Sequence, residues 1–282
     1  MQERILIHGL RYAVETIPSP VSTATNTLIL LHGFTGSATS WHPYSDLLAA
    51  DQKVIAIDLP GHGDTDSLDD PARYSIEHTV ADIGAIQEHL HLLPAETIIL
   101  GYSMGGRVAI AAALAGVCRA VILESASPGL ADDVAREQRR SSDEALAKRI
   151  ESEGIASFIS YWEQLPLFAG LQQLPASERQ QIHAQRLQNN PVGLSNSLRG
   201  LGTGTQPSYW QQLNSLQLPV LLIVGTNDQK FVAVAQQMAQ SLPQSQLHIV
   251  TESGHTVHRE QSTQFTTVVR QFCRTLDPTI FV

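Results

Sequence analysis

Apolar and polar positions along the chain alternate between short strand-like runs and longer stretches of helical spacing. Arg4–His8 and Arg11–Thr16 read as two short strands joined at Gly9-Leu10. Thr27–Leu31 (TLILL) is a near-continuous apolar run of the kind found in strands buried on both faces. From there helical spacing over Ser40–Ala50, Ser75–Leu92 and Met104–Gly116 is interleaved with strands at Lys53–Ile57, Thr97–Leu100 and Arg119–Leu123. The alternation resumes with Val220–Val224 (strand), Val232–Leu242 (helix), Gln246–Val250 (strand) and His258–Leu276 (helix). Strand and helix in turn mean right-handed βαβ units, so an α/β architecture with a mostly parallel, twisted sheet flanked by helices is expected.

Between Ser127 and Leu216 the buried-strand runs disappear. Helical spacing with polar, Gln-rich stretches replaces them over Ala131–Gly154, Ile155–Gln164, Ser177–Asn189 and Gly193–Gly200. The expected organisation is a core of residues 1–127 and 217–282 with a helical lid, 128–216, inserted after the sixth strand. With 282 residues, 43% of them apolar, the chain can bury such a core. The net charge of −9 disfavours a phosphate-backbone binder held by a basic surface, so no nucleic-acid partner is expected. The segment from Ser127 to Leu216 is nearly balanced, 8 basic against 9 acidic residues. A lid less negative than its base suits an anionic ligand. The longest apolar run, Val108–Cys118, falls short of the roughly 20 residues of a membrane span, and the first residues lack a signal core. These features read as a cytoplasmic protein with no membrane span. Cys118 and Cys273 are far apart and belong to no metal-ligand or disulfide pattern.

Chemistry enters at Gly101-Tyr102-Ser103-Met104-Gly105-Gly106, which follows a strand and opens a helix. This is Gly-x-Ser-x-Gly in the strand–turn–helix setting that projects a serine oxygen above a sheet. A serine hydroxyl needs a base to take its proton, and a histidine base needs an orienting carboxylate. Asp228, just past Val220–Val224, and His255, just past Gln246–Val250, supply both in the chain order Ser, acid, His. Glu124, at the end of another strand, is the competing acid; the Asp228 loop precedes the His255 segment and is preferred. Backbone N–H groups of Met104 and of Phe34, in His32-Gly33-Phe34-Thr35-Gly36, are the expected oxyanion donors. Asp58-Leu59-Pro60-Gly61-His62-Gly63 reads as turn chemistry that shapes the cleft. The Gly101–Gly106 turn lacks the Lys of a phosphate loop, and no clustered ligand set is present, so no cofactor and no metal are expected.

Over nearly the whole chain these residues resemble the α/β-hydrolase superfamily. Several stretches narrow the likeness: GYSMGGR; Ser127-Pro128-Gly129-Leu130 with Arg139-Arg140 and Asp143; Trp162 to Phe168; Arg186 near Asn189-Asn190; and GHTVHRE, which carries His255 to Glu260. Together they are similar to the 2-succinyl-6-hydroxy-2,4-cyclohexadiene-1-carboxylate synthases of menaquinone and phylloquinone biosynthesis. The resemblance implies the α/β-hydrolase fold and a lyase that eliminates pyruvate from a small-molecule tricarboxylate. It also implies Ser103, Asp228 and His255 as catalytic residues, and Arg107, Arg139 and Arg186 as carboxylate partners. Arginine's planar fork suits a carboxylate. Tyr102 and Trp162 have two readings each: contact with the substrate ring, or packing under the elbow and between lid helices. A serine hydrolase of esters, thioesters or C–C bonds, and a ligand receptor on the same scaffold, are the rival readings. The oligomeric state is left open by the sequence.

Overall fold

A computed structural model describes residues 1–21 and 26–276. The chain opens with β1 (Gln2–Ile7) and β2 (Leu10–Ile17), an antiparallel hairpin with Ile7 opposite Leu10. Its two turn residues, His8 (φ 46°) and Gly9 (φ 83°), both have positive φ. That is the primed turn whose twist matches paired strands. β3 (Thr27–Leu31), α1 (His42–Ala49), β4 (Lys53–Ile57), α2 (Ile76–His89), β5 (Thr97–Tyr102), α3 (Met104–Leu114) and β6 (Ala120–Glu124) follow. Next come four helices or helical turns: α4 (Asp133–Trp162), a 3₁₀ stretch (Pro166–Gln173), α5 (Ala176–Leu187) and α6 (Pro191–Leu201). β7 (Val220–Gly225), α7 (Gln229–Ser241), β8 (Ser245–Val250), α8 (Val257–Glu260) and α9 (Ser262–Thr275) complete the described chain.

The eight strands form one sheet in the order β1-β2-β4-β3-β5-β6-β7-β8. β2 meets β4 antiparallel, and every pair from β4 to β8 is parallel. Side chains alternate across the sheet. Ile29, Leu31, Ile55, Ile57 and Ile99 point to the layer of α2, α3 and α7. Leu28, Leu30, Val54, Ala56, Ile98 and Leu100 point to the layer of α1 and α9. Both faces of the central strands are thus covered, which explains their unbroken apolar runs. A separate apolar cluster of Ala147, Ile150, Phe158, Ile159, Leu194 and Leu198 joins α4 to α6.

Two helical expectations are revised. Ser40–Ala50 is a 3₁₀ turn, Ala38–Trp41, running into α1, where Pro43 sits in the first turn and needs no backbone donor. His258–Leu276 is two helices, interrupted at Gln261 (φ −137°, ψ 55°). The short α8 is pinned instead to its own loop: Glu260 accepts from the Gly254 and Thr256 N–H groups at 2.7 and 3.1 Å. By contrast, the break expected after Gly154 is present, at φ 80° within α4.

Candidate active site

Ser103 joins β5 to α3 with φ 50° and ψ −103°. A non-glycine residue holds this conformation only where its surroundings force it. They do so by close approach of backbone. A Cβ on Gly101 would lie 2.3 Å from the Gly105 carbonyl oxygen, and one on Gly105 would lie 2.3 Å from that of Leu31. The Ser103 N–H is tied to the Glu124 carbonyl at 2.9 Å and the Gly105 N–H to the His32 carbonyl at 3.1 Å.

His255, 2% exposed, comes off the loop after β8. Its Nδ1–H donates to Asp228 Oδ2 at 2.6 Å, which leaves Nε2 to accept the Ser103 hydroxyl at 3.1 Å. Asp228 is held in turn as the N-cap of α7, its Oδ1 accepting from the Phe231 N–H at 3.3 Å. The Phe231 and Tyr102 rings flank the imidazole at 4.6 and 5.5 Å. Glu124 is not part of this array. Fully buried, it accepts from the His258 N–H at 2.9 Å and its ring Nδ1 at 2.8 Å, and so anchors α8 below the site.

The Phe34 loop is fixed by His32. Its Nε2 accepts from the Leu59 N–H at 3.0 Å, so its Nδ1 carries the proton and donates to the Gly33 carbonyl at 2.8 Å. Asn189, between α5 and α6, donates to the Thr35 carbonyl at 2.9 Å and accepts from the Gly63 N–H at 3.4 Å. The connection between α5 and α6 is thereby tied to both loops. Among the described residues neither the Phe34 nor the Met104 N–H donates to a protein acceptor, and both residues line the same cavity as Ser103.

These loops also set a pH limit. Burial pushes His32 down to about 4 and holds His62 well below its ordinary value. Both stay neutral in the fold and take up protons near pH 6.5 once unfolded. Their stabilisation is complete above about pH 6.5 and is lost as pH falls toward 4. Asp58 opposes them. Burial raises it to about 6, so between about 6 and 4 the folded form is protonated first and acidification stabilises. Asp143 and Glu260, also raised by burial, act with Asp58, whereas Glu144 and Glu151, held low by Arg199, act with the histidines; on this balance the melting temperature is expected to fall as pH is lowered from 7 to 4.5. A flat or rising profile in thermal unfolding contradicts this balance.

A cavity of 320 Å³ opens above Ser103 between the sheet's carboxyl edge and the helical segment that follows β6, and is lined among others by His255, Tyr102, Trp162, Arg107 and Arg139. Arg107, on α3 one turn past the serine, is buried and donates to Gln206 Oε1 at 2.7 Å. Among the described residues no carboxylate pairs with it. Burial, with Arg139 adding to it, pushes its pKa down to about 10, far enough above neutrality that the charge persists. Arg139 donates to Asp143 Oδ1 at 2.8 Å from α4. Burial raises the Asp143 carboxyl against the pull of Arg139 and Arg107.

Arg186 is placed differently from the other two arginines. It lines two neighbouring cavities rather than the one over Ser103, pairs with Glu163 at 3.2 Å and lies 5.0 Å over the Phe168 ring. Glu163 also meets His183 Nδ1 at 2.8 Å. Arg140 and Arg199 are likewise engaged elsewhere, with Glu137 and with Glu144 and Glu151. Both readings of the aromatic residues have a basis. The Tyr102 ring covers Gly33, where a Cβ would lie 2.6 Å away, and its hydroxyl meets Thr256 Oγ1 at 2.9 Å. Trp162 stacks on Phe158 at 5.6 Å and meets Phe34 edge-on at 5.3 Å. Each also faces the cavity. Sequence reasoning missed two residues here: Asn189 as a loop tie, and Lys230, two residues past Asp228, whose side chain lines the cavity.

A nucleophile elbow, a hydrogen-bonded Ser–His–Asp array and a cation-lined cavity on a mostly parallel sheet agree with the comparisons to known proteins. Residues 26–261 match the family described as alpha/beta hydrolase fold. A Bacillus subtilis relative, provisionally named a 2-succinyl-6-hydroxy-2,4-cyclohexadiene-1-carboxylate synthase, is 42% identical over 94% of this chain and 95% of its own. A Salmonella newport synthase of the same name is 33% identical over 86% of this chain and 91% of its own. The solved structure of MenH from S. aureus superposes with a TM-score of 0.89 at 33% identity, covering 93% of this chain and 98% of that one. On fold, site and kinship together, the chain belongs to the α/β hydrolase fold family and, within it, to the 2-succinyl-6-hydroxy-2,4-cyclohexadiene-1-carboxylate synthases, lyases of menaquinone biosynthesis.

Proposed function

We propose that Ser103, His255 and Asp228 carry out the elimination of pyruvate from 2-succinyl-5-enolpyruvyl-6-hydroxy-3-cyclohexene-1-carboxylate. The observation that carries this reading is the buried Arg107, which forms no ion pair among the described residues and faces the same cavity as the serine. A cation there favours an anionic substrate over a neutral ester.

Ser103 Oγ, its proton drawn to His255 Nε2, takes the ring proton next to the succinyl ketone. The electron pair of that C–H bond becomes an enolate, stabilised by the Phe34 and Met104 N–H groups. Collapse of the enolate forms the C2=C3 bond, shifts the ring double bond from C3=C4 to C4=C5 and breaks the C5–O bond. The leaving enolpyruvate becomes pyruvate on taking up a proton, and no acyl-enzyme forms. Arg107 and Arg139 receive carboxylates, while Tyr102 and Trp162 bound the ring. Arg186 joins them only by exchanging Glu163 for a substrate carboxylate.

Residues 128–216 act as the lid of this site and residues 1–127 with 217–282 as its base. No helix among the described residues is long and apolar enough to cross a membrane, in keeping with work in the cytoplasm. The direct test is release of pyruvate from the enolpyruvyl precursor, followed with a coupled dehydrogenase, together with the absorbance of the new diene. Equal amounts of both support the reading. Cleavage of simple esters without pyruvate release would replace it with a serine hydrolase.

A further inference from the structure

We propose that Lys230 is a carboxylate-binding residue of this site, a role that rests on the tricarboxylate reading above. Lys230 lies in the first turn of α7, two residues after Asp228, and beside Phe231, whose ring packs on His255. Its side chain lines the cavity over Ser103 from the side of the sheet, whereas Arg139 reaches it from the lid segment.

Lys230 is exposed at the rim of the cavity and makes no ion pair among the described residues. The first turn of a helix carries the positive end of the macrodipole, so a lysine there is repelled. The Asp228 carboxylate caps this helix end through the Phe231 N–H but is shared with His255 Nδ1, and among the described residues no carboxylate pairs with the Lys230 ammonium. Its nearest aromatic partner, Phe231, is 5.7 Å from Nζ, too weak a contact to account for the placement. An anion in the cavity would give the unpaired ammonium the partner that the protein does not supply.

A census of charge in the cavity points the same way. Arg107 and Lys230 are its two cations without a carboxylate partner among the described residues, Arg139 is balanced by Asp143, and the Arg186 charge is engaged by Glu163 outside this cavity. A ligand with three carboxylates requires more than Arg107, and Lys230 supplies the second uncompensated positive charge on the wall that also carries the triad acid. A point-charge ammonium on a flexible stem can follow a carboxylate that moves as the C–O bond breaks, which a bidentate arginine clamp cannot do as freely.

The test compares wild type, Lys230→Gln and Lys230→Arg in steady-state pyruvate release, with thermal unfolding of each. For Lys230→Gln the expected result is a KM raised about tenfold or more with kcat within about threefold, and a KM that has lost part of its salt dependence. Lys230→Arg should restore most of the affinity, and the melting temperature of Lys230→Gln should be unchanged or higher, since a charge opposing the macrodipole has been removed. A KM for Lys230→Gln within twofold of wild type overturns the assignment while pyruvate release by wild type leaves the lyase reading standing. Absence of pyruvate release by wild type overturns both.

Discussion

Ser103→Ala is expected to lower the turnover number for pyruvate release by about a thousandfold or more while substrate binding changes by less than about threefold. The substitution removes one oxygen, the atom that in the proposed mechanism receives the ring proton, and that lies 3.1 Å from His255 Nε2. Losing a positioned general base costs typically two to four orders of magnitude. Binding should survive because the proposed carboxylate partners are other side chains: Arg107, one turn further along α3, and Arg139 on α4. The fold should survive too, since the elbow is enforced by the close backbone approach at Gly101 and Gly105 and not by the serine side chain. Titration of the variant with the precursor and circular dichroism check both points. A turnover within tenfold of wild type would remove Ser103 from the chemistry, and loss of binding with normal turnover would place it among the substrate contacts instead. The residual rate of the variant measures what Phe34 and Met104 N–H contribute without the base.

How this site could be found in the sequence depends on the range over which each feature is determined. The elbow is local: two glycines flank a serine because backbone must approach backbone there, and the spacing displays that need. The order of Ser103, Asp228 and His255 at strand ends was legible because strand alternation fixes which loops share the carboxyl edge of the sheet. The choice between Asp228 and Glu124 was harder, since both end strands that adjoin the site; the preference for Asp228 rested on its loop preceding the His255 segment, and the structure pairs Asp228 with His255 and Glu124 with His258. Arg186 shows the limit. Its Glu163 partner is 23 residues away on a different helix, so only the packing of α4 against α5 reveals that this charge is engaged. Lys230 was invisible for the opposite reason. It belongs to no motif, and what marks it is the absence of a partner in three dimensions. The Gln261 interruption between α8 and α9 escaped notice because it arises from contacts of α8 with Glu124 and with the Gly254 loop, not from a glycine or proline.

Arg107→Met should raise KM for the tricarboxylate roughly a hundredfold, corresponding to about 3 kcal/mol, the upper range for a hydrogen bond to a charged group. Arg107 is 8% exposed, and Gln206 is the hydrogen-bond partner found for its guanidinium among the described residues. Burial of a cation that Asp143 offsets only from a distance and no carboxylate pairs directly costs folding free energy, a cost that shows in the depression of its pKa toward 10. A methionine of similar length fills the space without the charge. Thermal unfolding should therefore be unchanged or shifted upward, while affinity collapses. Arg107→Lys should fall between the two, keeping charge but losing the fork. Arg186→Ala, whose cation already has Glu163, is expected to move KM less than Arg107→Met does. The opposite pattern, a large loss of thermal stability with KM unchanged, would mean that Arg107 is a structural tie to Gln206 rather than a substrate contact. The predicted opposition between stability and affinity at one residue follows from its surroundings. A site built to desolvate and neutralise a highly charged substrate must hold its own charge unsatisfied until that substrate arrives.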